Sequence, residues 1–194
     1  MPLTDLDPRV ALVVIDLQNG TVGRPGLGPL PGPEVVANTA QLAAAFRAAG
    51  KPVVLVTNTS LTGPDAPPGR TEFGSGGGEL PAGFEDLVAE LDGHPEDLRV
   101  TKRTWGAFHG TDLDLRLRRR GVTQVVLAGV ATSIGVDTSA REAYAHGYSV
   151  VIASDAVTDV NPDAHALTTS WVFRILGQQA TTAEIRSLVA EGGS

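Results

Sequence analysis

The chain has 194 residues, of which 42% are hydrophobic and 19% charged, with a formal net charge of -7 and no cysteine. This length and balance fit one folded domain spanning residues 1–194 and exclude a disordered chain; the missing cysteines exclude disulfides, thiolate metal sites and a thiol nucleophile together. Net acidity argues against a nucleic-acid partner, and no apolar run reaches the roughly 18 residues that span a bilayer, so no membrane partner and a cytoplasmic location are expected.

Val10 to Ile15 (VALVVI) is apolar throughout and too short for a helix, as in a strand buried on both faces. Asp16 ends it. A Gly- and Pro-rich loop from Gly20 to Pro33 leads to a helical pattern opened by Glu34, running through Phe46 and stopped at Gly50. Pro52 to Thr57 reads as the second strand, which completes a right-handed βαβ unit. Patterning then lapses from Asn58 to Phe84, where the glycines of Gly74 to Gly78 suit a flap over a binding site or a plain linker. They do not make a phosphate loop, because no Gly-Lys-Ser/Thr follows.

A short helix is predicted over Phe84 to Leu91, a third strand over Leu98 to Lys102 and a helix over Leu113 to Arg120 stopped by Gly121. The cluster Arg116 to Arg120 is the one basic run; with Asp112 and Asp114 ahead of it, acids open this helix and bases close it, as the helix dipole favours. Strands are predicted over Gln124 to Ala128 and Ser149 to Ala153. Between them Gly129 opens a small-residue turn, and a helix runs from about Gly135 to Ala145 with Thr132 or Ser133 as its cap. Asn161-Pro162 starts a helix to about Leu176, and a small strand near Gln179 to Thr181 precedes a helix from Thr182 that Glu184 helps to cap. The expected fold is α/β: a single doubly wound domain with a parallel sheet of about six strands, order 3-2-1-4-5-6, and helices on both faces.

In such a fold ligands lie at the carboxyl ends of the strands, where strand order reverses. Asp16 and Lys102 stand at two of those ends, and the Gly129 to Gly135 turn brings backbone N–H groups and a helix N-terminus to the same rim. A carboxylate, an ammonium and an N–H cradle make a plausible site. The histidines His94, His109, His146 and His165 show no ligand spacing and read as surface or capping residues, so neither a metal nor another cofactor is expected. An Ala131 to Gly135 stretch of ATSIG also lies one residue from a G-x-S-x-G elbow. On that rival reading Ser133 is the nucleophile, with Asp155 or Asp159 and then His165 as partners.

VVIDLQNG around Asp16, TKRTWGAF around Lys102 and GVATSIGVDTSAREA from Gly129 resemble, in order and spacing, three blocks of the isochorismatase-like hydrolases. The resemblance implies a homodimer or higher homo-oligomer, for which Trp171 and Phe173 suggest an exposed apolar face. It also implies a cis peptide at Val130-Ala131 that aims N–H groups into the site. Most of the family attack an amide with a cysteine that falls on Gly135 here, and nicotinamidases carry an Asp-x-His metal cluster where this chain has Asn58, Thr59 and Ser60. Glycine in the cysteine's place is the isochorismatase pattern. The resemblance then implies vinyl-ether hydrolysis of isochorismate to pyruvate and a dihydrodiol, with Asp16 as general acid and Lys102 and Gly135 completing the catalytic set.

A small anionic or carbonyl-containing substrate would lie against Gln18, Val130, Ala131, Trp105 and Phe108, with Arg70 and Arg103 as candidates to pair with its carboxylates. The chain departs from the family in having Gly106 where serine is usual, and in lacking the isochorismatases' arginine near Thr104 or having it displaced to Arg103. A family member repurposed for binding alone is the other reading of the lost cysteine.

Overall fold

The computed structural model describes residues 3–59, 72 and 80–192. Its centre is a six-stranded sheet, all parallel, made of β1 (Val10–Ile15), β2 (Val53–Asn58), β3 (Leu98–Lys102), β4 (Gln124–Val130), β5 (Ser149–Thr158) and β6 (Gln178–Ala180), in the order β3-β2-β1-β4-β5-β6. The helices are α1 (Asn19–Val22), α2 (Gly32–Ala48), α3 (Leu113–Arg119), α4 (Asp137–Ala145), α5 (Pro162–Leu167), α6 (Phe173–Leu176) and α7 (Thr182–Glu191). Two π-helical turns, Thr132–Val136 and Thr168–Val172, lead into α4 and α6.

Every residue of β1 and β4 is buried because the sheet is covered on both faces. Val10, Leu12 and Val14 enter one core with Val35, Leu42 and Phe46 of α2 and Ile185 and Val189 of α7. Ala11, Val13 and Ile15 enter the other, with Leu113 and Leu117 of α3, Ala140 and Ala143 of α4, and Phe173. The alternation is the two-residue period of a strand facing two layers. Since the chain builds outward from β1 to β3 and then returns to β4 on β1's free side, the strand order reverses between β1 and β4, and their carboxyl ends open a crevice. Among the described residues no helix is long and apolar enough to cross a membrane.

The expected helix over Phe84 to Leu91 is instead a series of turns. Its backbone is claimed by the segment after β1: Asn19 and Gly20 donate to Asp86 O and Phe84 O, and Val88 N–H donates to Leu17 O. Those bonds take the carbonyls a helix would need. The helix after β4 also differs, since neither Thr132 nor Ser133 caps it: Ala131 precedes the π-turn and Val136 precedes α4, neither with a side-chain capping bond. Asn161 and the Thr181–Glu184 capping box do close the starts of α5 and α7. Phe173 is turned into the core, and the exposed apolar side chains of this helical run are Leu167, Trp171 and Ile175. The Gly74 to Gly78 run lies outside the described residues.

Candidate active site

Asp16 follows β1 with φ 53°, the single positive φ of a non-glycine residue among those described. That strained backbone is held by the N–H bond to Val56 O and by Gln18 N–H and the Thr21 hydroxyl, which both donate to Asp16 O. It turns the carboxylate into the crevice, where Asp16 is 8% exposed. Oδ2 lies 2.8 Å from Lys102 Nζ, and Oδ1 is buried without a hydrogen-bond partner. Burial raises the Asp16 pKa to about 6 against the opposing pull of the Lys102 ammonium. Lys102, the last residue of β3, is 1% exposed and also donates to Trp105 O, so its charge is fixed between one carboxylate and one carbonyl.

The third part comes from the turn after β4. Gly129, with φ 128°, stands so close to β1 that a β-carbon there would fall 2.0 Å from Ile15 O, which is why the strand ends can converge. The Val130–Ala131 peptide is cis. The π-turn then places Gly135 with its α-hydrogen toward the pair: a β-carbon on Gly135 would stand 3.2 Å from Asp16 Oδ2 and 3.3 Å from Lys102 Nζ. Asp16, Lys102 and Gly135 therefore meet at one point, as their places at the strand ends require.

A cleft of about 180 Å³ opens above this point. Phe84, Trp105, Ile134 and Val160 give it apolar walls, Val130 and Ala131 border its floor, and Arg24 stands in its wall. Gln18 lines the cleft too, but its amide is engaged as a brace: Nε2 donates to Asn58 O (3.0 Å) and Glu85 O (2.6 Å), and Oε1 accepts from Asn58 N–H (2.9 Å). Phe108 is not brought to the cleft. Its ring is 5% exposed in the core beneath α4, stacked on His146 at 5.3 Å and tilted on Tyr148 at 5.8 Å. Arg103 is exposed and does not line the cleft, and Arg70 lies outside the described residues.

Gly106 has a local cause. Its position lies against Glu142, whose carboxylate would be 2.2 Å from a β-carbon there and accepts the Phe108 N–H at 2.8 Å. Serine does not fit while Glu142 holds this loop. Arg24 and Asn58 are cleft residues that the sequence reading passed over; the signal was available, since Arg24 sits in the loop after β1 and Asn58 ends β2, both on the strands' carboxyl side.

The serine-hydrolase constellation does not assemble. Ser133 N–H donates to Asp159 Oδ2 (2.6 Å), while His165 Nδ1 shares its hydrogen bond with Thr132 Oγ1 (2.9 Å) and not with Ser133. Asp155 is occupied at the start of α7, accepting from Thr182 N–H and Oγ1. Burial also holds the His165 pKa below its usual value. Among the described residues no group of three or more His, Asp or Glu is placed to hold a metal ion.

Fold and site together define a doubly wound α/β protein whose buried Asp–Lys pair stands at the topological switch point. The chain belongs to the isochorismatase family of hydrolases: the family's Isochorismatase domain matches residues 10–184. It is 41% identical to the isochorismatase family protein YwoC of Bacillus subtilis over 91% of this chain and 92% of that protein. A solved isochorismatase family protein from Burkholderia thailandensis superposes with a TM-score of 0.91 at 45% identity, covering 96% of this chain and 98% of the other. Nicotinamidase PncA from Bacillus subtilis superposes with a TM-score of 0.76 at 27% identity, covering 89% of this chain and 99% of the other.

Proposed function

We propose that the protein is a cysteine-independent hydrolase that cleaves the vinyl ether of isochorismate, releasing pyruvate and a dihydrodiol, with Asp16 as general acid. The observation that carries this reading is the contact around Gly135: where a thiol nucleophile would project, the chain has only hydrogen, beside a carboxylate with one unpaired oxygen and a pKa of about 6. With no thiol present for it to deprotonate, a carboxyl of that pKa is a serviceable proton donor near neutrality.

In the reaction Asp16 delivers its proton to the terminal methylene carbon of the enolpyruvyl group, and the ether oxygen stabilises the resulting oxocarbenium ion. Water adds to the oxocarbenium carbon, the one bonded to the ether oxygen, and loses a proton to Asp16, which restores the acid. The hemiketal then collapses, its ring oxygen leaving as the alcohol of the dihydrodiol and its other carbon fragment as pyruvate. Lys102 holds Asp16 in place and offers positive charge to the substrate's carboxylates, while apolar walls limit competing solvation. None of these three steps uses a metal ion or a covalent enzyme intermediate.

The test is pyruvate release from isochorismate by purified protein, followed through lactate dehydrogenase and NADH absorbance, after dialysis against EDTA. Turnover that survives dialysis and falls about 10²- to 10⁴-fold in Asp16→Asn is the expected result. Asparagine tolerates the positive φ at this position, so the comparison removes the proton donor without straining the backbone. Undiminished kcat in Asp16→Asn rejects the mechanism. We also propose a homo-oligomer, supported by the exposed row Leu167, Trp171 and Ile175, four residues apart along one helical run.

A further inference from the structure

Two polar groups of the cleft are left without partners by the protein's own bonds. The Arg24 guanidinium lines the cleft, is exposed, and makes no ion pair or side-chain hydrogen bond among the described residues. Asn58 ends β2 in register with Lys102, lines the same cleft, and keeps a buried Oδ1 with no hydrogen-bond partner. A buried acceptor left unpaired is costly, and few native groups tolerate it without a ligand or water. The Asn58 amide is tethered only by a 3.5 Å contact from Nδ2 to Thr104 O, too long to resist rotation toward a donor. Thr104 Oγ1 beside it is likewise buried and unpartnered.

We infer that Arg24 and Asn58 set the specificity of the cleft by recognising a hydroxylated carboxylate, with the carboxylate on Arg24 and a hydroxyl donor on Asn58 Oδ1. The chemistry of the two groups assigns the ends. Guanidinium only donates and suits a planar carboxylate, whereas an amide oxygen only accepts and so selects a ligand that carries O–H. Between them Phe84, Trp105, Ile134 and Val160 present apolar surface to a ring. The assignment rests on the proposed reading of the site as one for a cyclic carboxylate substrate, and it names the residues that would read that substrate's two polar features. Asp16 and Lys102 remain paired with each other at the reacting end.

The experiment measures binding without turnover, by titration calorimetry with benzoate, 3-hydroxybenzoate and phenol. Wild-type protein should bind 3-hydroxybenzoate about tenfold more tightly than either simpler probe, since each added partner satisfies one group. Arg24→Gln should bring 3-hydroxybenzoate to the level of phenol, and Asn58→Leu should bring it to the level of benzoate. Asn58→Ala, which removes the acceptor and adds no bulk, must reproduce the Asn58→Leu result, and melting curves establish that each variant is folded. Equal wild-type affinity for benzoate and 3-hydroxybenzoate overturns the role of Asn58. Unchanged benzoate affinity in Arg24→Gln overturns that of Arg24. Because no chemistry is read, failure of isochorismate turnover leaves this result standing, and failure here leaves the acid mechanism standing.

Discussion

Replacing Gly135 with cysteine tests whether this glycine occupies the reacting centre. The backbone accepts the change: Gly135 lies in the helical turn Thr132–Val136, outside the left-handed region. The new β-carbon would meet Asp16 Oδ2, Ile15 Cγ2 and Lys102 Nζ at 3.2, 3.2 and 3.3 Å, so its neighbours must give by a few tenths of an ångström. Two of the three are ends of side chains. The thiol would then stand between an ammonium and a carboxylate whose raised pKa makes it a base of matching strength.

If this environment lowers the thiol pKa by about two units from about 8.5, the thiolate fraction at pH 6 rises about 75-fold over a free cysteine. A less basic thiolate is intrinsically about eightfold less nucleophilic for the same change, which leaves a net advantage of about tenfold toward iodoacetamide at pH 6. The advantage should vanish near about pH 7.5 and become a several-fold deficit above about pH 9, as the free thiol ionises fully. The chain has no other cysteine, so alkylation by mass spectrometry reports this site alone. Native turnover should be lost in the same variant because a side chain now fills the cleft floor. A folded Gly135→Cys protein whose alkylation tracks an exposed cysteine at every pH, with turnover retained, refutes the placement.

The pH profile follows from Asp16, whose acid form is required and whose pKa is raised to about 6. The proton is held below that value and lost above it, so kcat/KM should be level at low pH and fall about tenfold per unit above about pH 6; a flat profile from pH 5.5 to 8 is incompatible with it. Asp159, fully buried, accepts from Ser133 N–H at 2.6 Å and Asn161 N–H at 3.1 Å. Asp159→Ala should therefore destabilise the fold by about 1–3 kcal/mol, measured by urea unfolding, since two backbone N–H donors lose the buried carboxylate that pairs them. Light scattering should give at least twice the mass of one chain, and Trp171→Glu should shift the protein toward monomer; wild-type protein already monomeric at micromolar concentration contradicts the proposed assembly.

The sheet was legible because its strands are continuous apolar runs bounded by punctuation, and polar residues at the ends of Val10–Ile15 and Leu98–Lys102 had to fall on one rim. What misled was local pattern read without its neighbours. Phe84, Leu87, Val88 and Leu91 have helical spacing, yet their backbone is bonded to residues 17–20, more than sixty positions earlier. Ser133 is a good cap by type, but the partner for its N–H is a carboxylate 26 residues on. Phe108 sits in a block that also holds Lys102 and Trp105, and only the packing of α4 against β5 shows that its ring belongs to the core. Asn58 and Arg24 lack any motif; their places at the end of β2 and after β1 put them on the right side of the sheet, but that they share a cleft, and that Asn58 Oδ1 has no partner there, is visible only in the packing.

The brace made by Gln18 bears on the order in which the molecule assembles. The Nε2 and Oε1 of its one side-chain amide join residue 18 to residues 58 and 85, contacts that close over 40 and 67 positions of chain. Such long closures form only after β1 and β2 have paired, so the floor of the cleft is completed late, on a scaffold already built. The same bonds should open before the sheet does. Hydrogen exchange at the Asn58 amide is then expected to proceed by a local excursion, faster than at Val13 or Val126 in the sheet's centre, giving the site a mobility of its own within a rigid frame.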